Sequence, residues 1–433
     1  MSLNRIASIA ADEMLDSRGI PALEVTVTLC SGTTGTAMVP SGRSTGQFEA
    51  VEMRDGDMDR YRGLGVLNAI RHVRDAISDA LCGMEADNQC ALDRVMKDLD
   101  GTEYKSHLGA NAMLGVSIAC ARAAASAHGL PLYRYLGGAA AQVLPVPMFN
   151  VLNGGKHASH GPDVQEFKLV PAGAPTFREA VRYGAETYHA LGDILREMGQ
   201  PTNVGDEGGY VPALASNAAA MDALMLAIER AGYAPGKDIY IGLDPAATSF
   251  CIDGSYCLER DDLLLTTDEM IAYWQDWARK YPLISLEDPL ADTDWAGFSA
   301  ITSRLGQRLQ IVGDDLFVTN PRFLRRGIAE QCCNSILIKP NQIGTLTETF
   351  ETARVAQQAG YTCLVSHRSG ETGDTLIADL AVALDTGQIK SGAPARGERV
   401  GKYNRLMRIE TELGQDAVFP GIAAFPLAES SDS

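Results

Sequence analysis

The chain has 433 residues, of which 45% are hydrophobic and 21% are charged, and this composition predicts a large buried core, most simply in two domains. Its net charge of −18 argues against nucleic acid and anionic membranes as partners, but not against a small anionic substrate at a locally positive site. We find no uninterrupted apolar run typical of a signal peptide, and the nine cysteines include no CxxC pair. A cytoplasmic location without membrane partners is therefore expected.

The first part of the chain, residues 1–136, combines strand and helix patterns. Apolar and polar residues alternate from Ala22 to Leu29, as in a half-buried strand, while the segment from Gly109 to Gly129 is rich in alanine, as in a helix. This mixture predicts a small α+β domain. The segment 136–147 is rich in small residues and proline, so it is the predicted linker to a second domain at 137–433.

The stretch VPSGRSTG, from Val39 to Gly46, places Arg43 in a loop otherwise made of small and hydroxyl-bearing residues. Its glycines keep the backbone pliable, and its hydroxyl oxygens can bind a metal or a phosphate. Such a loop can close over a ligand. Arg43 then either turns inward onto a negative charge or points to solvent.

Short apolar runs in the second half of the chain each end abruptly in one polar residue. These residues are Asp244, Glu287, Asp314, Lys339, His367 and Lys390. The last five are separated by 27, 25, 28 and 23 residues, and each interval contains a helix-like segment. One strand plus one returning helix occupies about this length, so the pattern predicts a β/α barrel of the TIM type. The carboxyl ends of barrel strands meet at one mouth, where active sites lie.

The polar strand ends indicate a metal and a base. Each of them alone is open to the simpler interpretation of a strand cap, but Asp244, Glu287 and Asp314 together would repel one another unless a cation lay among them. Oxygen ligands favour Mg²⁺ or Mn²⁺ over zinc. Lys339 and Lys390 would face that metal, and we expect the positive charges to lower the lysine pKa and make a general base. The combination suits removal of a proton α to a carboxylate, with the metal holding the enolate.

Two further glutamates are candidates for the acid on the opposite side. Glu166 lies in the strand-like run DVQEFKLV, and Glu207 lies among glycines in VGDEGGY, although an ordinary acidic turn would look the same. Arg368, in SHRSGET, can fork onto a phosphate or a carboxylate, or can be a surface arginine. His157 and His367 are the histidines most suited to the site.

Long motifs along essentially the whole chain resemble those of the enolase family. They are DSRG, SGRSTG, EMRDGD, DLDGTEYKSHLGANA, NVLNGGKH, QEF, VGDEGG, SLEDP, GDDLFVTN, LIKPNQIGTLTET, SHRSGET and RIE, in this order. The resemblance implies a small N-terminal α+β domain over a modified β/α barrel that opens with an antiparallel strand pair, in a dimer or an octamer. A lysine base working with one or two Mg²⁺ ions on an enolate-like intermediate is a property of that superfamily, not a deduction from spacing.

The resemblance also implies roles for individual residues. Lys339 would take the C2 proton of 2-phosphoglycerate, while Glu207, partnered by Glu166, would assist departure of the C3 hydroxyl as water. Lys390 would contact the substrate carboxylate, and Ser44 would reach a second Mg²⁺. The remaining implied residues are Asp244, Glu287 and Asp314 on the first Mg²⁺, Arg368 and Ser369 on the phosphate, and His157, Gln165 and His367 on the pocket wall.

Three positions depart from the usual enolase pattern. Arg43 stands where alanine is usual, Ile20 where asparagine is usual, and Lys168 where methionine is usual. Strand alternation puts Lys168 on the same face as Glu166, which would direct it into the barrel, where a buried lysine needs a partner. Either change is compatible with neutral drift, but two added cations near the mouth also make Arg43 and Lys168 candidates for substrate binding.

Three hypotheses follow. The leading one is an enolase that converts 2-phosphoglycerate to phosphoenolpyruvate. The second is a paralogue of phosphonate biosynthesis, similar to carboxyphosphonoenolpyruvate synthase, whose substrate carries an extra carboxylate. The third is a non-catalytic scaffold, which would have no need to keep Lys339, Lys390, Glu207 and three mutually repelling carboxylates.

Overall fold

The computed structural model describes residues 2–42, 46–158 and 161–427. Arg43 and Ser44, two of the predicted site residues, lie outside the described residues, so their roles stay predictions. The N-terminal part begins with an antiparallel sheet in the order β1, β2, β3. Its strands are β1 (Ile6–Leu15), β2 (Pro21–Leu29) and β3 (Thr34–Val39).

Helices cover one face of this sheet. They are α1 (Leu67–His72), α2 (Ser78–Leu81), α3 (Gln89–Asp100), α4 (Ala110–Ala127) and α5 (Leu132–Gly137). The small residues of α4 allow a close approach to the sheet, since a Cβ added to Gly35 of β3 would lie only 2.2 Å from the backbone nitrogen of Ala123. The alternating apolar residues of β2 are buried against α4, as the period-two pattern predicts. This part is the predicted small α+β domain.

The rest of the chain forms a closed barrel. Its strands, with a small three-stranded sheet inserted as β7 to β9, are β4 (Val146–Asn153), β5 (Glu166–Val170), β6 (Tyr240–Asp244), β7 (Cys251–Ile252), β8 (Ser255–Leu258), β9 (Leu263–Leu265), β10 (Leu283–Glu287), β11 (Gln310–Gly313), β12 (Ser335–Ile338), β13 (Thr362–Ser366) and β14 (Gln388–Lys390). The ring runs β4, β5, β6, β10, β11, β12, β13, β14 and back to β4. Within the ring, β5 pairs antiparallel with both of its neighbours, and all other strand pairs of the ring are parallel. The predicted modified barrel with an early antiparallel pair is confirmed.

Helices surround the barrel. They are α6 (Phe177–Glu197), α7 (Asn217–Arg230), α8 (Thr267–Lys280), α9 (Trp295–Leu305), α10 (Pro321–Ala329), α11 (Pro340–Ile343), α12 (Leu346–Gln358), α13 (Leu376–Ala383) and α14 (Gly397–Leu413). Local sequence sets several of their starts. At α8, the side chain of Thr266 accepts from the backbone of Glu269, and Glu269 accepts in return from the backbone of Thr266. None of the helices in the described ranges is both long enough and apolar enough to cross a membrane.

The N-terminal domain is fastened to the barrel near the mouth. Ser41 and Gly370 exchange two backbone hydrogen bonds, each of 2.9 Å. Arg122 of α4 forms a two-pronged ion pair with Asp374 of the barrel domain, with both nitrogen–oxygen distances 2.6 Å. These contacts place Ser41 beside Gly370, which follows the carboxyl end of β13.

Candidate active site

The polar residues predicted from the strand ends meet at one mouth. Each lies at the last residue of its strand or at the one that follows: Asp244 on β6, Glu287 on β10, Asp314 after β11, Lys339 after β12, His367 after β13 and Lys390 on β14. A pocket opens there. Its lining includes every predicted acid, base and wall residue of the described chain except Glu287 and Lys168.

The antiparallel strand β5 explains why Glu166 joins this set from the start of its strand rather than the end. Because β5 runs opposite to its neighbours, its first residue lies at the mouth, where Glu166 pairs in register with Asp244. Gln165 precedes it and lines the same pocket. Glu207 comes from the loop between α6 and α7, and its carboxylate accepts a 2.8 Å hydrogen bond from the side-chain amide of Asn150 on β4.

Three carboxylates and two lysines make up the barrel floor. Glu166, Asp244 and Glu287 each offer an oxygen within 4.8 Å of the others. The Nζ of Lys390 lies 2.8 Å from Glu166, 3.1 Å from Asp244 and 2.8 Å from Glu287. The Nζ of Lys168 lies 2.5 Å from Glu287. The formal charge of this floor group is therefore −1 when all five side chains are ionised.

The pKa values of the floor carboxyls follow from burial and from these neighbours. Burial raises the pKa of Asp244 to about 8, and the charge of Glu287 adds to this effect. Burial also raises the pKa of Glu166 to about 7, although Lys390 opposes it. For Glu287 burial is outweighed by the charges of Lys168 and Lys390, so its pKa is lowered. The floor thus holds a proton near neutral pH on Asp244 or Glu166 and keeps Glu287 ionised.

Asp314 belongs to a neighbouring acidic group rather than to the floor. Oxygens of Asp288, Asp314 and Asp315 lie within 4.8 Å of one another. The carboxylate of Asp288 accepts 2.9 Å hydrogen bonds from the backbone N–H groups of Asp314 and Asp315 and so holds this turn in place. Burial, with the charge of Asp314, raises the pKa of Asp315 to about 8. The predicted ligand set of Asp244, Glu287 and Asp314 is therefore divided between two adjacent groups.

Both groups fit a hard divalent cation. Each offers three carboxylate oxygens at close range and no sulfur or imidazole ligand, which is the donor set of Mg²⁺ or Mn²⁺. A third group joins His157 to Glu166 and Glu207 on the other side of the pocket.

Without a bound metal ion, the pKa of neither lysine is lowered. The Nζ of Lys339 lies 2.5 Å from Asp314, and although burial lowers its pKa, this carboxylate more than compensates and raises it. The pKa of Lys390 is likewise raised, because Glu166 and Glu287 outweigh the effect of burial. The expected lowering concerned lysines that face a bound divalent ion, so it stays a prediction for the metal-bound protein.

A buried arginine that the sequence did not single out fixes the orientation of His367. Arg399 of α14 is 0% exposed and donates from its guanidinium to Nδ1 of His367 over 2.6 Å. It also donates to the backbone oxygens of Arg368 and Ser369. Since Nδ1 accepts, the ring proton lies on Nε2, which is 3.4 Å from the carboxylate of Glu207. Burial lowers the pKa of His367 to about 4, so the ring is neutral at physiological pH.

The predicted anion-binding residues lie on the side of the pocket near the N-terminal domain. Arg368 is buried and forks onto Glu49 with distances of 3.0 and 3.2 Å, and it also donates to Asn341. Glu49 was not predicted, because an acidic residue in a loop carries no signal of its long-range partner. Ser369 lines the pocket beside Arg368. In this structure the guanidinium group of Arg368 is therefore occupied by the carboxylate of Glu49.

Two polar atoms of the pocket wall have neither a hydrogen-bond partner nor an ion-pair partner among the described residues. They are Nδ1 of His157 and the side-chain oxygen of Gln165. Buried polar atoms are normally hydrogen-bonded, so atoms of this kind on a pocket wall indicate a ligand that completes them. Both residues were predicted for this wall.

Lys168 lies behind the pocket rather than on its surface. It is 0% exposed, pairs in register with Asn150 and Gly242, and directs its ammonium group onto Glu287. Glu287 is also 0% exposed. The predicted inward direction of Lys168 is therefore correct, and its partner is a carboxylate of the floor.

Models of known protein families match both parts of the chain. Residues 6–136 match the model described as the N-terminal domain of enolase. Residues 141–427 match the model described as the enolase C-terminal TIM barrel domain. The two matches follow the sheet-and-helix domain and the barrel in turn and leave little of the chain uncovered. With the barrel, the polar strand ends and these matches in agreement, the chain belongs to the enolase family.

Proposed function

We propose that this protein, an enolase-type lyase, removes water from 2-phospho-D-glycerate to give phosphoenolpyruvate. The observation that carries the proposal is the placement of an amine and a carboxyl group, Lys339 and Glu207, on the lining of one pocket that also contains acidic groups and a buried arginine. Loss of an α-proton and a β-hydroxyl requires a base near one carbon and an acid near the oxygen on the next, both within reach of one bound substrate.

In this reaction Lys339 accepts the proton from C2, the C3–oxygen bond breaks, and Glu207 delivers a proton to the departing hydroxyl, which leaves as water. Lys339 must therefore start neutral, and Glu207 must gain a proton before the hydroxyl leaves, because His367 and His157 outweigh burial and lower its pKa well below the usual range. Glu166 lies beside Glu207 and holds a proton near neutral pH, because burial raises its pKa to about 7. Glu166 is thus suited to supply the proton that Glu207 passes on.

Other residues of the pocket hold the substrate. Lys390 contacts the carboxylate of the substrate, and Arg368 and Ser369 bind its phosphate. The phosphate would compete with Glu49 for the guanidinium group of Arg368. His157, Gln165 and His367 close the wall and exclude water.

We propose Mg²⁺ as the metal, with two ions. Asp244, Glu287 and Asp314 would hold the first, and Ser44 would reach the second. The bound ions would supply positive charge that stabilises the enolate and offsets the carboxylate that raises the pKa of Lys339.

The direct test is the rate at which the purified protein forms phosphoenolpyruvate from 2-phosphoglycerate with Mg²⁺, followed by ultraviolet absorbance. We expect a kcat within the ordinary range of about 1 to 1000 per second. A turnover several orders of magnitude lower, with wild-type stability and measurable Mg²⁺ binding, would reject this substrate.

A second candidate is supported by Lys168. This residue adds one positive charge to the floor relative to the methionine usual in enolases, and a more positive site favours a substrate with one more negative group. That substrate would be a 2-phosphoglycerate-like phosphonate with an extra carboxylate, as for carboxyphosphonoenolpyruvate synthase. Competition between the two substrates in one assay separates the candidates, since the true substrate has the higher kcat/KM.

A further inference from the structure

The ion pair between Lys168 and Glu287 bears directly on the proposed metal site. The Nζ of Lys168 lies 2.5 Å from one oxygen of Glu287, while Lys390 lies 2.8 Å from the other. Both oxygens of this carboxylate are thus engaged by ammonium groups. Glu287 does not reach the pocket lining, whereas Asp244 and Asp314 do.

A cation that binds Glu287 must therefore compete with two ammonium groups. Lys390 contacts all three floor carboxylates and is shared among them. Lys168 is different, because its short contact is with Glu287, and its distance to Glu166 is 3.7 Å. Lys168 has no exposed surface by which its charge could be hydrated after losing this partner.

The positive charge of Lys168 also disfavours cation binding to the floor. When all side chains are ionised, the floor group of Glu166, Asp244, Glu287, Lys390 and Lys168 has a formal charge of −1, and an uncharged side chain at position 168 would make it one unit more negative. A dication is attracted more strongly to the more negative group, and the effect is large at contact distance in a buried site.

From these contacts we infer that Lys168 is a positioning residue that holds Glu287 away from the pocket and thereby weakens the binding of a divalent cation to the free protein. The inference rests on the proposed metal site, since it concerns one of its ligands. Lys168, which stands where methionine is usual in enolases, would thus change metal affinity rather than contact the substrate.

The experiment compares Mg²⁺ binding to the full-length wild-type protein and to Lys168→Met by isothermal titration without substrate. Mn²⁺ binding followed by electron paramagnetic resonance provides a second readout that is independent of activity. We expect Lys168→Met to bind both ions at least about tenfold more tightly. Lys168→Arg, which keeps the charge, should restore weak binding. Damage to the fold would weaken metal binding. The expected increase in affinity therefore separates a positioning role from a purely structural one.

Two controls complete the design. Lys105 is also buried and lies 2.8 Å from Glu348, away from the mouth, so Lys105→Met should leave metal affinity unchanged. Lys168→Gln serves as a second uncharged variant if Lys168→Met folds poorly, and it should also bind more tightly. Unchanged or weaker binding in the uncharged variants, with normal binding by the wild type, would overturn the inference alone. Absence of binding in the wild type and in both uncharged variants would overturn the metal site as well.

Discussion

Arg399 donates a hydrogen bond to Nδ1 of His367 from a fully buried position, 2.6 Å away. This contact determines which ring nitrogen carries the proton and therefore what His367 presents to Glu207. It links the last long helix of the barrel domain to the acid side of the pocket.

We predict that Arg399→Gln lowers kcat/KM about 10-fold to 100-fold, the range found when the partner that orients a metal-bound histidine is removed. Steady-state kinetics with thermal unfolding as a check on the fold provide the measurement. Arg408→Gln, an exposed position in the same helix, is the matched control and should behave as the wild type. A wild-type kcat/KM for a folded Arg399→Gln variant would show that this orientation is dispensable.

Variants of the two proposed catalytic groups should separate the two halves of the reaction. Lys339→Ala removes the base, so exchange of the C2 hydrogen of 2-phosphoglycerate with deuterium from solvent should fall at least about 100-fold. Glu207→Gln should retain this exchange while net formation of phosphoenolpyruvate falls. Proton NMR in deuterated buffer measures both. Loss of exchange in Glu207→Gln as complete as in Lys339→Ala would contradict the assignment of these roles.

Metal affinity should depend on pH in a defined direction. The pKa of Asp244 is raised by burial to about 8, so at lower pH this carboxyl carries a proton that a metal ion must displace. We expect Mg²⁺ affinity to increase as pH rises from 6 to about 8 and then to level off, with proton release on binding. Isothermal titration in buffers of different ionisation enthalpy measures the protons released. Binding without proton release at pH 7 would contradict a protonated floor.

The stability of the metal-free protein should fall as pH rises from about 6.5 to 8. In this window the unfolded carboxyls are ionised, whereas burial raises the pKa of Asp244 and Asp315 to about 8 and of Glu166 to about 7, so the folded protein binds more protons. Burial lowers the pKa of His367 to about 4. This residue therefore makes stability increase with pH only below about pH 6.5, its ordinary pKa. Each retained proton contributes up to about 1.4 kcal/mol per pH unit. Urea unfolding with a chelator measures the slope, and a rise in stability over this range would contradict the prediction.

The barrel and most of the site follow from local sequence patterns. Each polar residue at a strand end was visible as the end of an apolar run, and parallel strands necessarily bring such ends to one mouth. The direction of Lys168 was equally predictable, because side chains two residues apart on a strand share a face. The roles of Lys339, Glu207 and the other site residues remain predictions until the experiments above are done.

The ion pairs and buried hydrogen bonds could not be predicted from local patterns, because they join residues far apart in the chain. Glu49 meets Arg368, Arg399 meets His367, and Asp314 meets Lys339 only after the loops and helices have packed. The raised pKa of Lys339 in the metal-free protein could not be foreseen for this reason, since a buried ammonium group responds to the carboxylate that folding places against it. Residue types and their order along the chain were enough to indicate the chemistry. Which charges neutralise one another, and hence which group is ready to take or give a proton, was decided by packing at distances of about 3 Å, where electrostatic energy is largest.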